Sequence, residues 1–381
     1  MEKTILIVAG ETSGDNLGSE IIHNWKKISA PKYRFWGFGG SRMWEAGVEV
    51  VRDIHDLSVI GFLEGVASYS RLSRYLNNLL EEVKNRNVCG AILIDYPGFN
   101  LKLAEKLFSM NIPVYQVVSP QLWAWHYNRI FKIEKYVKAV LCLYKFETEI
   151  YHEHGISAFF MGHPLVQKIE KFNTEFSKEI LKIKNLNRDK LKVALLPGSR
   201  TSEIRRHMTF LINAAAEFHS KHPDTIFEIP TASEKISAHI RQYNLPAYIY
   251  LRENNAYMTM ATSDSAIVCS GTATLECAIF KLPFLLIYKT SWITYFIGKR
   301  LIHLPFIGLV NILRNAFVTR EFIQQDMQIS SVLSELEKIS FDKAYRNNMK
   351  KEFQKVKTEV YSKNPSFAAA EFLSKAFSKN L

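Results

Sequence analysis

The stretch that decides the fold runs from residue 4 to residue 18, TILIVAGETSGDNLG. Thr4-Ile5-Leu6-Ile7-Val8-Ala9 is a short apolar run rich in β-branched side chains, and it reads as a strand buried on both faces. Gly10-Glu11-Thr12-Ser13-Gly14-Asp15 then turns the chain with small and polar residues, and a helical pattern follows over 16–28. Strand, glycine-bearing turn and helix in that order open a βαβ unit. Such a loop can present backbone N–H groups and the positive helix end to an anion. It lacks the G-x-G-x-x-G spacing of a dinucleotide fingerprint. A tight turn with Asp15 or Asn16 as helix cap fits the same residues.

Working outward, the pattern repeats. Further strands are predicted at 33–38, 91–95, 113–118, 139–142 and 158–161, with helices near 60–85, 99–110, 126–136 and 145–154. This alternation predicts a parallel sheet covered on both faces. Residues 167–192 are charged and poor in strand formers, and read as a connection with one short helix. The alternation then restarts, with strands at 192–196, 225–229, 247–251, 265–269 and 283–287 and helices at 203–220, 232–242, 254–261, 273–280 and 291–302. The expected architecture is α/β, with two Rossmann-like domains at 1–166 and 193–342. A tail at 343–381 forms one or two amphipathic helices. Ligands of doubly wound sheets bind outside the carboxyl ends of the strands, so a cleft between two such domains is the expected site.

Size and composition bound the rest. The 381 residues are too many for one ordinary domain and suit two. With 47% apolar and 23% charged residues the chain can build full cores, which excludes disorder. Cys89, Cys142, Cys269 and Cys277 form no C-x-x-C pair, so buried reduced thiols are expected rather than zinc or disulfides. The first apolar run is too short for a signal sequence. The apolar region 282–313 is broken by Lys289, Lys299 and Arg300, short of the roughly 20 residues a membrane span requires.

Formal charge is +12, from 49 basic and 37 acidic residues. The lysines are scattered, and no helix-turn-helix, RNP or zinc-finger pattern occurs, which argues against nucleic acid. Basic charge with 13% aromatic residues, and an apolar, cation-flanked segment at 290–313, fits an anionic membrane surface better.

The polar motifs fall just after the predicted strands. Gly37-Phe38-Gly39-Gly40-Ser41-Arg42-Met43 allows close backbone approach to a ligand, or a plain glycine turn. Asp95 follows Ile92-Leu93-Ile94, where a carboxylate suffers desolvation unless partnered or used. It is placed to act as general base, removing a proton from a sugar hydroxyl, and a turn before Pro97 is the plainer reading. In Ser119-Pro120-Gln121-Leu122-Trp123-Ala124-Trp125-His126 the two indoles can line a sugar or acyl pocket, or anchor the loop on the sheet. Pro197-Gly198-Ser199-Arg200 sets a guanidinium where a diphosphate can meet it, with Glu203 capping the next helix; a surface arginine is the alternative. Ser270-Gly271-Thr272 at a helix start suits a phosphate. Glu276, one turn on, can accept both hydroxyls of a ribose, although a capping box needs no ligand. No His/Asp/Glu set has metal-ligand spacing and no Asp-x-Asp follows a strand, which disfavours metal-dependent transfer.

These strings, in this order, resemble the lipid-A-disaccharide synthase family. The matching pieces are AGETSGDNLG at 9–18, GFGGSRM at 37–43, VIGFLE at 59–64, LIDYPGFN at 93–100, VVSPQLWAWHYNRI at 117–130, FMGHPL at 160–165, LLPGSR at 195–200 and SGTATLEC at 270–277. The resemblance implies a GT-B fold and an inverting, metal-independent transferase with no cofactor beyond its sugar donor. The implied donor is UDP-2,3-diacylglucosamine and the acceptor 2,3-diacylglucosamine 1-phosphate. The implied location is cytoplasmic, peripheral to the inner membrane, and the resemblance leaves room for a homodimer. The tail at 343–381 is then expected to pack back toward the N-terminal domain.

Carried over residue by residue, the resemblance makes Asp95 the catalytic base or its close partner. Arg200, Ser199, Ser270, Gly271, Thr272 and Glu276 would hold UDP. Glu11, Ser13, Asp15, Phe62, Trp123, Trp125 and Asn311 would stand on the acceptor and acyl side. The chain departs from the family pattern at Gly98, where an acidic residue is usual, and at Val310, where proline is usual; Glu321-Phe322-Ile323-Gln324 keeps its Glu-x-x-Gln signature. Two other readings are weighed. One is a UDP-GlcNAc transferase or epimerase acting on unacylated sugars. The other is a basic membrane-surface or nucleic-acid binder without catalysis, which leaves Asp95, Arg200 and Glu276 unexplained.

Overall fold

The computed structural model describes residues 3–28, 33–54, 66–124, 126–291 and 305–379. Phe62, Trp125, the segment 59–64 and nearly all of the helix expected at 291–302 lie outside them. The chain divides into two compact units, Met1–Pro164 with Ser362–Leu381, and Leu165–Tyr361.

The first unit is built on seven strands: β1 (Lys3–Ala9), β2 (Tyr33–Gly39), β3 (Glu49–Asp53), β4 (Val88–Ile94), β5 (Val114–Val117), β6 (Ala139–Cys142) and β7 (Ala158–Phe160). All neighbours are parallel, in the order β3-β2-β1-β4-β5-β6-β7. The two-residue period of a strand splits β1 between two cores. Ile5, Ile7 and Ala9 pack with Leu17, Ile21 and Trp25 of the helix Thr12–Ile28 and with Ala369, Leu373 and Phe377 of the helix Pro365–Lys379. Leu6 and Val8 face the opposite core, with Leu103, Leu107, Ile130 and Ile133 of the helices Pro97–Ser109 and Arg129–Tyr136.

The second unit repeats the plan with six parallel strands: β8 (Leu191–Leu196), β9 (Thr225–Thr231), β10 (Ile249–Glu253), β11 (Ser265–Cys269), β12 (Phe284–Tyr288) and β13 (Glu321–Ile323). Their order is β10-β9-β8-β11-β12-β13. In each sheet the chain reverses its winding once, between β1 and β4 and between β8 and β11. Such switch points open a crevice beyond the strand ends, because the connecting helices there leave to opposite faces.

Two expectations change. The connection read with one short helix holds two, Pro164–Glu175 and Ser177–Leu186. The tail divides: Phe353 of Lys343–Val360 stacks on Phe284 of β12 at 5.5 Å within the second unit, and only Pro365–Lys379 lies on the first. No helix among the described residues is long and apolar enough to cross a membrane.

Candidate functional site

At the first switch point the chain leaves β4 through two successive left-handed residues, Asp95 (φ 50°) and Tyr96 (φ 47°). Each costs on the order of 1–3 kcal/mol for a non-glycine residue, so neighbours must hold them. The Asp95 N–H donates to the Val117 carbonyl at 2.8 Å. The Asp95 carbonyl accepts from the buried amides of Asn100 (2.7 Å) and Gln116 (3.3 Å). Gly10, at the end of β1, lies under the Tyr96 ring, and a Cβ there would fall 2.3 Å from Tyr96 Cγ. The turn that carries Asp95 thereby sits beside the β1 loop, which carries exposed Glu11 and Ser13. Burial, and then the charge of Glu11, push the Asp95 pKa above the usual carboxylate range; the Tyr96 backbone N–H partly offsets them.

Asp15 has a different place from the one expected. It is buried, and its carboxylate accepts from the backbone N–H groups of Gly40 (2.7 Å), Met43 (3.1 Å) and Arg42 (3.2 Å). It therefore caps the short helix Ser41–Glu45 and ties the GETSGD loop to the GFGGSRM loop, leaving little capacity for an acceptor. Trp123 is half-buried against Phe146 (5.5 Å) and Tyr144 (6.4 Å). Its indole N–H donates to Glu147 at 3.1 Å. Glu147 is buried, and that burial pushes its carboxyl up to about 7. These contacts hold the tryptophan against the start of the helix Lys145–Glu153.

In the second unit, Gly198 (φ 110°) turns the chain after β8, and Glu203 reaches back to accept from the N–H groups of Ser199 (2.9 Å) and Arg200 (3.2 Å). Those N–H groups are thus already occupied. Arg200 keeps an ion pair to Glu203 at 3.5 Å, with its side chain 65% exposed. His207, fully buried, donates from Nδ1 to the Pro197 carbonyl (3.1 Å) and accepts at Nε2 from the Lys289 N–H (3.0 Å), joining the loops after β8 and β12. No sequence pattern marks His207, because its partners lie ten and eighty-two positions away.

After β11, Gly271 (φ 146°) precedes the helix Thr272–Ile279, and Gly271 and Thr272 are exposed at its N-terminus. Ser270 is half-buried, with its hydroxyl donating to the Ile307 carbonyl at 3.4 Å. Glu276 is half-buried and accepts from the Tyr257 hydroxyl at 3.2 Å. Burial raises its pKa, against the lowering by Tyr257 and Lys168. Arg200, Ser270, Thr272 and Glu276 therefore all belong to the elements that leave β8 and β11, the switch-point pair.

Asn311 is reassigned. It is fully buried and accepts from the Val318 and Thr319 N–H groups, both at 2.9 Å. Its amide donates to the Thr319 carbonyl and to Glu321, both at 2.8 Å. Glu321 also receives the Ile307 and Gly308 N–H groups, and Gln324 pairs with both backbone groups of Thr290. The Glu-x-x-Gln signature and Asn311 thus build the loop stems beyond β12 and before β13.

Solved structures share this architecture. The UDP-GlcNAc 2-epimerase of Neisseria meningitidis bound to UDP-GlcNAc aligns with a TM-score of 0.61 at 10% identity, over 99% of this chain and 100% of that one. The S. aureus MnaA–UDP structure aligns with a TM-score of 0.61 at 12% identity, over 100% and 98%. A ugt transferase from Siraitia grosvenorii in complex with UDP gives 0.56 at 10% identity, over 99% and 100%. At these identities the likeness speaks for the fold, which is that of the GT-B glycosyltransferases and epimerases.

The chain belongs to the lipid-A-disaccharide synthetase family, whose model matches residues 5–372. It is 35% identical over 347 residues to the lipid-A-disaccharide synthase of Coxiella burnetii (strain RSA 331 / Henzerling II), covering 91% of each chain. It is 34% identical over 350 residues to that of Myxococcus xanthus (strain DK1622), covering 91% of this chain and 90% of the relative. The protein is accordingly an enzyme, a glycosyltransferase of lipid A biosynthesis.

Proposed function

We propose that the chain joins UDP-2,3-diacylglucosamine to 2,3-diacylglucosamine 1-phosphate, giving the β-linked disaccharide 1-phosphate and UDP by inversion without a metal ion. The observation that carries this reading, in a chain of this family, is a strained carboxylate at one switch point and a cation, hydroxyl and carboxylate set at the other. Asp95 takes the proton of the acceptor 6-hydroxyl as that oxygen attacks the anomeric carbon. The bond from that carbon to UDP breaks, and its electron pair leaves with the diphosphate, whose charge Arg200 meets. Ser199, Ser270, Gly271 and Thr272 attend the phosphates, and Glu276 accepts from the ribose hydroxyls. Glu11 and Ser13 stand on the acceptor side.

The test is incubation of the purified protein with both acylated sugars in the presence of EDTA. Disaccharide 1-phosphate and UDP are the expected products. Equal turnover of an unacylated acceptor would instead favour an enzyme of soluble sugars. Asp95→Asn should keep the fold and lose about 10² to 10⁴-fold in turnover. Near-wild-type turnover in that variant would remove Asp95 from the mechanism.

The substrates are lipids, and one face of the first unit suits the cytoplasmic surface of an anionic inner membrane. Phe108, Tyr127 and Phe131 are exposed there, on and beside the helices Pro97–Ser109 and Arg129–Tyr136, among exposed Lys102, Lys106, Lys132 and Lys135. Basic charge interleaved with aromatic rings binds anionic interfaces, at about 1 kcal/mol per lysine near the surface. Sedimentation with phosphatidylglycerol vesicles should fall in Phe131→Asp/Lys106→Glu. Unchanged sedimentation, or a concentration-dependent dimer lost in the same variant, would place another partner on this face.

A further inference from the structure

Tyr257 occupies a position that the proposed UDP contacts do not use. It lies on the helix Ala256–Thr262, and its hydroxyl donates to Oε1 of Glu276 at 3.2 Å. The ring cannot easily turn away. Phe172 meets it edge-on at 5.4 Å, Phe280 at 5.5 Å, and the Lys168 ammonium lies 5.4 Å from its centre. Phe172 and Phe280 also touch each other, at 6.2 Å. Three helices of the second unit thus clamp one phenol against one carboxylate oxygen.

A carboxylate that reads a cis-diol must stay ionised and hold one orientation, since each hydroxyl needs an acceptor lone pair in a fixed place. Half-buried Glu276 meets neither condition by itself, because burial favours its neutral form. The phenol supplies both: a hydrogen bond that favours the charged form, and a fixed direction for Oε1 that sets the plane of Oε2. The same burial and the neighbouring Glu276 hold the phenol itself protonated, so it remains the donor.

We propose that Tyr257 is a positioning residue that gives the nucleotide site its preference for a ribose over a 2′-deoxyribose, by fixing Glu276 against the diol of a uridine diphosphate. This rests on the proposed role of Glu276. It extends that role to a residue whose effect depends on the sugar of the nucleotide and not on its phosphates.

The experiment is calorimetric titration of UDP and 2′-deoxy-UDP into the wild type, Tyr257→Phe and Glu276→Gln. The wild type should prefer UDP by at least about tenfold, the scale of one charge-assisted hydrogen bond. Tyr257→Phe keeps the ring and its packing. It should bind deoxy-UDP as the wild type does and prefer UDP by no more than about twofold. Intact deoxy-UDP binding reports that the site is folded, so a general loss of structure cannot mimic the result. If Tyr257→Phe keeps the full preference while Glu276→Gln abolishes it, the inference fails and the reading of Glu276 stands. If Glu276→Gln also keeps the preference, both fail.

Discussion

Burial, and then the neighbouring Glu11, raise the Asp95 pKa. A general base works in its deprotonated form, so a raised pKa places the acid limb of kcat at higher pH than an ordinary aspartate would. Glu11→Gln removes one negative neighbour, lowers the Asp95 pKa and should move that limb to lower pH while the plateau is largely kept. A pH profile of kcat checks this, and an unmoved limb would remove Glu11 from the field at Asp95. Asp95 stands out in the sequence because a carboxylate between Ile92-Leu93-Ile94 and Pro97 is costly unless it is partnered or used. The left-handed turn that aims it is not legible, since it is held by Asn100, Gln116 and the bare surface of Gly10. The same limit explains Asp15 and Asn311, which motif position alone assigned to the acceptor. Only the fold shows that their lone pairs and protons are already taken, by backbone groups and, for Asn311, also by Glu321.

Among the elements, β8 carries an ion pair buried on both sides. Lys192 near its start is buried, with its ammonium 2.8 Å from Glu228 of β9 and 2.7 Å from Thr262. Glu228 is bonded in turn by Arg252 (2.9 Å) and Thr259 (3.2 Å). Burial lowers the Lys192 pKa, and the hydrogen bond to Glu228 is the main force keeping it charged. Glu228→Ala strands that cation, and should cost about 3–5 kcal/mol of stability in urea unfolding. A loss under about 1 kcal/mol would mean that Lys192 finds water or another partner at little expense. Interior strands were legible because continuous burial writes continuous apolar runs: 139–142 and 265–269 agree with β6 and β11 to the residue. The edge strands β3 and β13 were missed. EVVRD is never fully buried, and EFI is three residues long, so neither produces a run to read.

At the scale of the molecule, the chain ends in the unit where it began. Phe377 of the last helix stands between Trp25 (5.6 Å), Tyr33 (6.1 Å) and Tyr115 (5.0 Å). A Cβ on Gly90 would come within 2.5 Å of its ring, so β4 carries a glycine there to admit it. Phe377→Ala should cost the first unit about 3–5 kcal/mol. UDP affinity, proposed to reside in the second unit, should be unchanged, and a joint loss in melting and calorimetry would contradict that division. The tandem of two sheets was readable from the alternation alone, whereas the return of the tail was expected only from the family resemblance, because an amphipathic helix declares that it has a partner but not which one. Ribosomes deliver a chain from its N-terminus at about 5–20 residues per second. The half-core on Ile5, Ile7 and Trp25 is therefore made long before the helix Pro365–Lys379 that seals it. For tens of seconds of synthesis it is a sticky surface, and a stalled nascent chain lacking the helix Pro365–Lys379 should be a preferred client of chaperones that bind apolar segments.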